Sequence, residues 1–310
     1  MATSDAGTTG MKPKRYSYYP GCAIKGTGIA YEESLLEVYR LLGISWQELT
    51  DWNCCGAQAY MTVDAGQSCM LAARNLRIAY QSGSHDIVAP CSACYLALRK
   101  CKDYVERYPR MREAVGGFMP ASDIKAITNV RVRHALDMLY VDIGPAAFRS
   151  RAARPWPGGK VVCYYGCQAV RPYGEVDRDG NPTRMDELLE AIGVPVAAWP
   201  LKTKCCGSSH TGTLHEVGVR MGSLLLKEAV RRGAEAVITI CPLCQFNLDI
   251  YQKDMSGSTG ESFDLPILFL PQVLGWALGG DFKSLGLHRG VSGAETLTRW
   301  FAKGTGNGHV

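Results

Sequence analysis

Ten of the 13 cysteines fall into two sets of five with almost the same internal spacing. The first set is Cys22, Cys54, Cys55, Cys91 and Cys94, and the second is Cys167, Cys205, Cys206, Cys241 and Cys244. The intervals hold 31, 0, 35 and 2 residues in the first set and 37, 0, 34 and 2 in the second. A Cys-x-x-Cys pair at a helix start favours thiolate, because first-turn amides and the helix dipole favour negative charge. By itself such a pair fits either one metal centre or a thioredoxin-like dithiol, and Cys241-Pro-Leu-Cys244 has a proline in the gap. Each vicinal pair is followed by a glycine, Gly56 or Gly207, which permits positive φ and a sharp turn around a bulky inorganic group. The vicinal pair alone also fits a tight disulfide. Zinc and cubane sites take four cysteines, whereas each set here offers five. Five converging thiolates suggest a cluster richer in iron, with one sulfur bridging two irons.

The flanks repeat along with the cysteines. Tyr19-Pro20-Gly21-Cys22 answers Tyr165-Gly166-Cys167, and Cys54-Cys55-Gly56 answers Cys205-Cys206-Gly207. This self-similarity reads as an internal duplication. The boundaries it implies are a flexible tail over 1–13, a first unit over 14–148 and a Pro/Gly/Arg-rich linker over 149–159, then a second unit over 160–290 and a tail over 291–310. Periodicity predicts strands over 15–19, 44–49 and 86–89 and helices over 29–42, 64–81 and 92–108 in the first unit. The second unit repeats the order, with strands over 160–164, 196–200 and 236–240 and helices over 184–192, 214–232 and 242–251. Strands alternating with helices predict an α/β fold of two pseudo-symmetric, Rossmann-like halves with parallel sheets. Every cysteine group then follows a strand, at the carboxyl ends where open α/β sheets build their sites.

Composition narrows the field. Of 310 residues, 46% are apolar and 20% charged, which reads as globular. The formal charge of +5 is mild and the basic residues are scattered, so no nucleic-acid stripe is present. No apolar h-region opens the chain. The longest apolar stretch, over 265–278, is broken by Pro266, Pro271, Gln272 and Gly275 and is too short for a bilayer span. The expected compartment is a reducing cytoplasm, where clustered cysteines bind metal or do redox chemistry.

The pattern Cys-x31-Cys-Cys-Gly-x34-Cys-x2-Cys resembles the cysteine-rich CCG domain, and two copies in one chain resemble the catalytic B subunit of heterodisulfide reductase. The resemblance covers nearly the whole chain, including a closing strand and helix over 265–279. It implies one noncubane 4Fe–4S cluster on each five-cysteine set, the two facing each other with a disulfide substrate between them. It implies an iron–sulfur oxidoreductase acting on sulfur groups, like the CoB–CoM heterodisulfide reductase, working as reductase or as thiol oxidase. It also implies two partners, one a ferredoxin-like iron–sulfur protein and the other a flavin-containing protein of the same complex. Similar chains serve sulfur-oxidising complexes, or pass electrons between thiols or quinones and fumarate. A reading from another class is a zinc-stabilised scaffold using four of each five cysteines.

The chain has no Gly-x-Gly-x-x-Gly after a strand, so neither nucleotide nor flavin is expected in it. Cys69 and Cys101 read as small buried hydrophobes. Cys163 lies four residues before Cys167, which is the better match to Cys22 through its preceding glycine. Lys25, Arg171, Lys202, Lys204 and His210 lie near the cysteine loops and could anchor an anionic thiol. As ordinary surface charges they would do nothing of the kind. His85, just before a strand, reads as structural.

Overall fold

The computed structural model describes residues 15–302 other than 58, 84 and 179. The expected N-terminal tail lies outside these residues. Strands β1 (Arg15–Tyr18), β2 (Ser45–Glu48), β3 (Asp86–Ala89) and β4 (Arg131–His134) form one parallel sheet in the order β2-β1-β3-β4. Strands β5 (Val161–Tyr164), β6 (Ala236–Thr239) and β7 (Ile267–Phe269) form a second parallel sheet in the order β5-β6-β7. The two α/β halves are Rossmann-like and pseudo-symmetric, as the repeat predicts.

The expected strand over 196–200 shrinks to a single parallel bridge between Val196 and Val161. That bridge occupies the place that β2 holds beside β1. Val161 donates to the Pro195 carbonyl at 2.9 Å and Ala197 to the Val161 carbonyl at 2.7 Å. Proline has no N–H, so Pro195 and Pro200 close off the ladder on either side. In the other direction, β4 has no counterpart among the expected strands. Its Arg133 is 2% exposed and held by Asp137 and Asp142, each at 2.6 Å.

Local chemistry sets the helix limits. Helix Ile29–Leu42 ends at Gly43, whose φ of 69° gives the left-handed cap. Helix Ala65–Gln81 starts at Asp64, whose carboxylate accepts from the Gln67 amide at 3.0 Å. Helices Ser92–Arg107 and Pro242–Ile250 each begin directly after the first cysteine of a Cys-x-x-Cys.

A smaller hydrophobic core lies on the Tyr164 face of the second sheet, and the larger one runs through both halves. Tyr31 of the first half stacks on Phe269 of the second at 4.6 Å, and helix Leu270–Ala277 packs along helix Ile29–Leu42. The segments expected as linker and tail are partly built into this core. Trp156 packs edge-on to Trp300 at 5.6 Å, and helix Ala294–Ala302 buries Trp300 and Phe301. Their aromatic side chains have enough apolar surface to hold the helix in place.

Candidate metal centres

Because both sheets are parallel, the turns after β1, β2 and β3 lie at one edge, as do those after β5, the Val196 bridge and β6. These turns carry the ten cysteines. In the first half, Cys54 lies in the field of Cys22, Cys54 touches Cys55, Cys55 touches Cys94, and Cys94 touches Cys91. In the second half, Cys167 touches Cys205, Cys205 touches Cys206, Cys206 touches Cys244, and Cys244 touches Cys241. The Cys206 and Cys244 sulfurs stand 3.5 Å apart. From the vicinal pair onward the order of contact is the same in both halves.

Several backbone features shape these chains. Gly56 and Gly207 have φ of 75° and 88°, the left-handed turn expected of them. Each points its amide back at the first sulfur of its pair, Gly56 to Cys54 at 3.5 Å and Gly207 to Cys205 at 3.4 Å. Gly21 and Gly166 lie over the last cysteine of their sets. A Cβ at Gly21 would stand 2.6 Å from the Cys94 sulfur, and one at Gly166 would stand 3.1 Å from that of Cys244. The missing side chains are what let the strand-end turn close on the Cys-x-x-Cys.

A tyrosine fixes each vicinal pair. The Tyr19 hydroxyl donates to the Asn53 carbonyl at 2.7 Å, and the Tyr164 hydroxyl to the Lys204 carbonyl at 2.6 Å. These carbonyls immediately precede Cys54 and Cys205. Tyr164, not Tyr165, is therefore the partner of Tyr19 in the repeat. Tyr165 faces away, donating to Asp186 at 2.7 Å. Burial first, and then the thiols of its own half, drive each of Tyr19 and Tyr164 well above the usual phenol range.

The thiols divide the charge among themselves. Hydrogen bonds from Cys54 and then Cys94 hold Cys55 well below the ordinary thiol range, while Cys94 is pushed well above it. Cys167 and then Cys206 do the same for Cys205, and Cys244 is pushed up. Adjacent sulfurs of like charge cannot all ionise in the bare protein, so five thiolates would need added positive charge. Among the described residues, no three His, Cys, Asp or Glu side chains close around the point of a single ion. The donors run instead as an extended chain, a shape suited to a group of several metal atoms.

The two chains meet end to end. Tyr31 lies within the field of both Cys91 and Cys241. The Ser92 hydroxyl reaches the Ile240 carbonyl at 3.4 Å and touches the Cys241 thiol. His134 Nδ1 accepts from the Leu136 amide at 3.1 Å, so Nε2 carries the proton and donates to Ser92 at 3.2 Å. Sequence reasoning missed Tyr31 and His134, which lie outside the repeated motifs, and Ser92, which fills a gap position of the first Cys-x-x-Cys where the second has Pro242.

The other expected residues are dispersed. Cys163 is fully buried beside Asp186 and Lys202, on the Tyr165 face of β5 and apart from the five. Cys69 and Cys101 are buried together with sulfurs 3.0 Å apart. Lys25 is paired with Glu32 at 2.7 Å and Glu48 at 2.9 Å, and Lys202 with Asp186 at 2.7 Å. Arg171 donates to the Thr203 carbonyl. His85 packs edge-on to Tyr80 at 5.1 Å, a structural role. Lys204 is exposed, and His210 acts on the Cys205 thiol.

Two copies of one cysteine-bearing α/β unit, facing each other across a shared core, define the class. The chain belongs to the cysteine-rich CCG domain family, whose model matches residues 16–99 and 161–249. It is similar to the 8-methylmenaquinol:fumarate reductase membrane anchor subunit of Wolinella succinogenes, with 29% identity over 92% of this chain and 99% of that one. It is also similar to the B subunit of the ferredoxin/F(420)H(2)-dependent CoB–CoM heterodisulfide reductase of Methanosarcina acetivorans, with 26% identity over 89% and 93% of the two chains. Among solved structures, a hypothetical protein from Helicobacter pylori shares the fold at a TM-score of 0.64 and 13% identity. That match covers 91% of this chain and 53% of the other. Among the described residues, no helix is long and apolar enough to cross a membrane.

Proposed function

We propose that this chain is the cysteine-rich redox component of a heterodisulfide reductase-type complex. Cys22, Cys54, Cys55, Cys91 and Cys94 would hold one noncubane 4Fe–4S cluster, and Cys167, Cys205, Cys206, Cys241 and Cys244 a second. The observation that carries this reading is the end-to-end meeting of two like-ordered thiol chains at Tyr31 and Ser92. Such clusters, when bound, supply one-electron transfer and Lewis-acidic iron for the two sulfurs of a disulfide.

The chain's own residues provide the frame. Tyr19 and Tyr164 hold the vicinal loops, Gly21 and Gly166 make room over Cys94 and Cys244, and Ser92 with His134 ties the two Cys-x-x-Cys starts together. Lys204, exposed, and His210, on the Cys205 side, are left to meet an anionic thiol, since Lys25 and Lys202 are already neutralised by carboxylates. Electrons would arrive from a ferredoxin-like iron–sulfur protein backed by a flavin-containing one. The similarity to a menaquinol:fumarate reductase component favours a second reading, in which the same frame links quinol oxidation to fumarate. A cytoplasmic protein that docks on a membrane partner suits either reading.

The test is iron and acid-labile sulfide analysis of anaerobically purified protein, followed by low-temperature EPR with and without mercaptoacetate. About eight irons per chain and a thiol-dependent signal are expected. A well-folded, reconstituted protein that contains zinc or no metal would defeat the proposal. A cluster signal that responds to a quinol analogue and ignores every thiol would favour the second reading.

A further inference from the structure

A cavity of about 330 Å³ opens beside the first Cys-x-x-Cys helix, between that helix and the outer edge of β4. It is separate from the cysteine turns and shares only His134 with the redox frame described above. Four cations, Arg99, Lys102, Arg131 and Arg133, line it against two carboxylates, Asp137 and Glu175. The volume is that of a small-molecule site.

Two of its walls carry unmet donors. Tyr95 is 1% exposed and its hydroxyl finds no acceptor. Its polar neighbour, the Arg99 guanidinium, can only donate. Arg133 is 2% exposed; its Nε and Nη1 serve Asp137 and Asp142, while Nη2 has no partner. Buried donors without acceptors are costly, so their presence on a cavity wall points to an acceptor supplied from outside. Arg99 is paired with Glu175, and Arg133 with Asp137, Asp142 and, at 3.7 Å, Asp86, so the positive charge left to select an anionic acceptor is that of Lys102 and Arg131. Burial, and then the nearby Arg99 charge, depress Lys102, the crowding that an anion would relieve.

We propose that this cavity binds a small molecule through an oxyanion group, carboxylate or phosphate, accepting hydrogen bonds from the Tyr95 hydroxyl, Arg133 Nη2 and Arg131. The site is not remote from the redox centre. His134 lines it and holds Ser92 at 3.2 Å, and Ser92 reaches the second half at Ile240. An occupant would therefore sit one side chain from the junction of the two thiol chains.

Isothermal titration of the cluster-loaded protein with inorganic phosphate, pyrophosphate and malonate, at constant ionic strength, tests this. At least one probe should bind one to one. Tyr95→Phe should fold with an unchanged or raised melting temperature, since the hydroxyl has no acceptor to lose, and bind roughly threefold to tenfold more weakly. Arg131→Gln should weaken binding about tenfold. Arg220→Gln, on a distant helix, should leave binding unchanged. No binding by any probe would overturn the proposal. So would unaltered affinity in Tyr95→Phe, which would reduce the effect to surface charge, or an equal loss in Arg220→Gln. Iron content measured on every sample separates loss of clusters from loss of this site.

Discussion

The Ser92 hydroxyl of the first half donates to the Ile240 carbonyl of the second at 3.4 Å, one residue from Cys91 on one side and from Cys241 on the other. This bond, with His134 behind it, couples the starts of the two Cys-x-x-Cys helices. Ser92→Ala removes one partner of the buried His134 Nε2–H, which also faces the Pro90 and Ile240 carbonyls, and breaks the tie to Ile240. It should cost about 0.5–1.5 kcal/mol in urea unfolding while leaving iron content unchanged, because Ser92 is not a proposed ligand. A fall in iron along with stability would instead place Ser92 in the ligand set.

The two thiol chains share no sulfur. Cys55→Ser should therefore remove the iron of the first half alone, and Cys206→Ser that of the second. Each variant is expected to keep about half of the iron and sulfide of the parent, with one of two EPR components lost. Full iron in both variants would contradict five-cysteine ligation.

Tyr19 and Tyr164 do the same work at the two vicinal pairs. Phenylalanine at 164 leaves the Lys204 carbonyl without its donor, whereas at 19 the Asn53 carbonyl keeps the Asn75 Nδ2 at 3.0 Å. The expected loss is about 1–3 kcal/mol at Tyr164 and about 0.5–1.5 kcal/mol at Tyr19, together with faster release of iron to a chelator from the affected half only. Chelation rates resolved by half-specific EPR would check it. Equal rates in parent and variants would show that the tyrosines support the fold and not the site.

His134 is fully buried and held down to about 4 by that burial, against an ordinary value near 6.5. The unfolded chain takes up the proton first as pH falls. Stability is therefore complete above about pH 6.5 and is lost as pH drops toward 4, by a total on the order of 3 kcal/mol. Urea midpoints from pH 7 to 4.5 should show this slope in the parent, and His134→Asn should flatten it. An unchanged slope in the variant would assign it to other groups.

Much of this was legible in the sequence because the cysteines mark the carboxyl ends of strands. Their spacing gave the two halves, the parallel sheets and the grouping of the ten sulfurs. β4 was not legible, because Arg131-Val-Arg-His134 carries charge where a buried strand is normally apolar, and it is Asp137 and Asp142, with Asp86 farther off, that make Arg133 tolerable inside. The strand expected over 196–200 was overdrawn, since its apolar run hid two terminating prolines. The Tyr165 match failed for a reason of pleat. Adjacent strand residues face opposite sides, and Tyr164, not its neighbour, faces the thiols. The junction at Tyr31, Ser92 and His134 depends on how one half is laid against the other, and neither repeat encodes that separately.

The stacking of Tyr31 on Phe269, and of helix Leu270–Ala277 along helix Ile29–Leu42, means that each half covers an apolar flank of the other. Because one chain carries both halves, the cover is always present in equal number, and the two need not match: Asp51-Trp-Asn53 stands before one vicinal pair and Lys202-Thr-Lys204 before the other. A chain cut between the halves would leave each piece with that flank open to water.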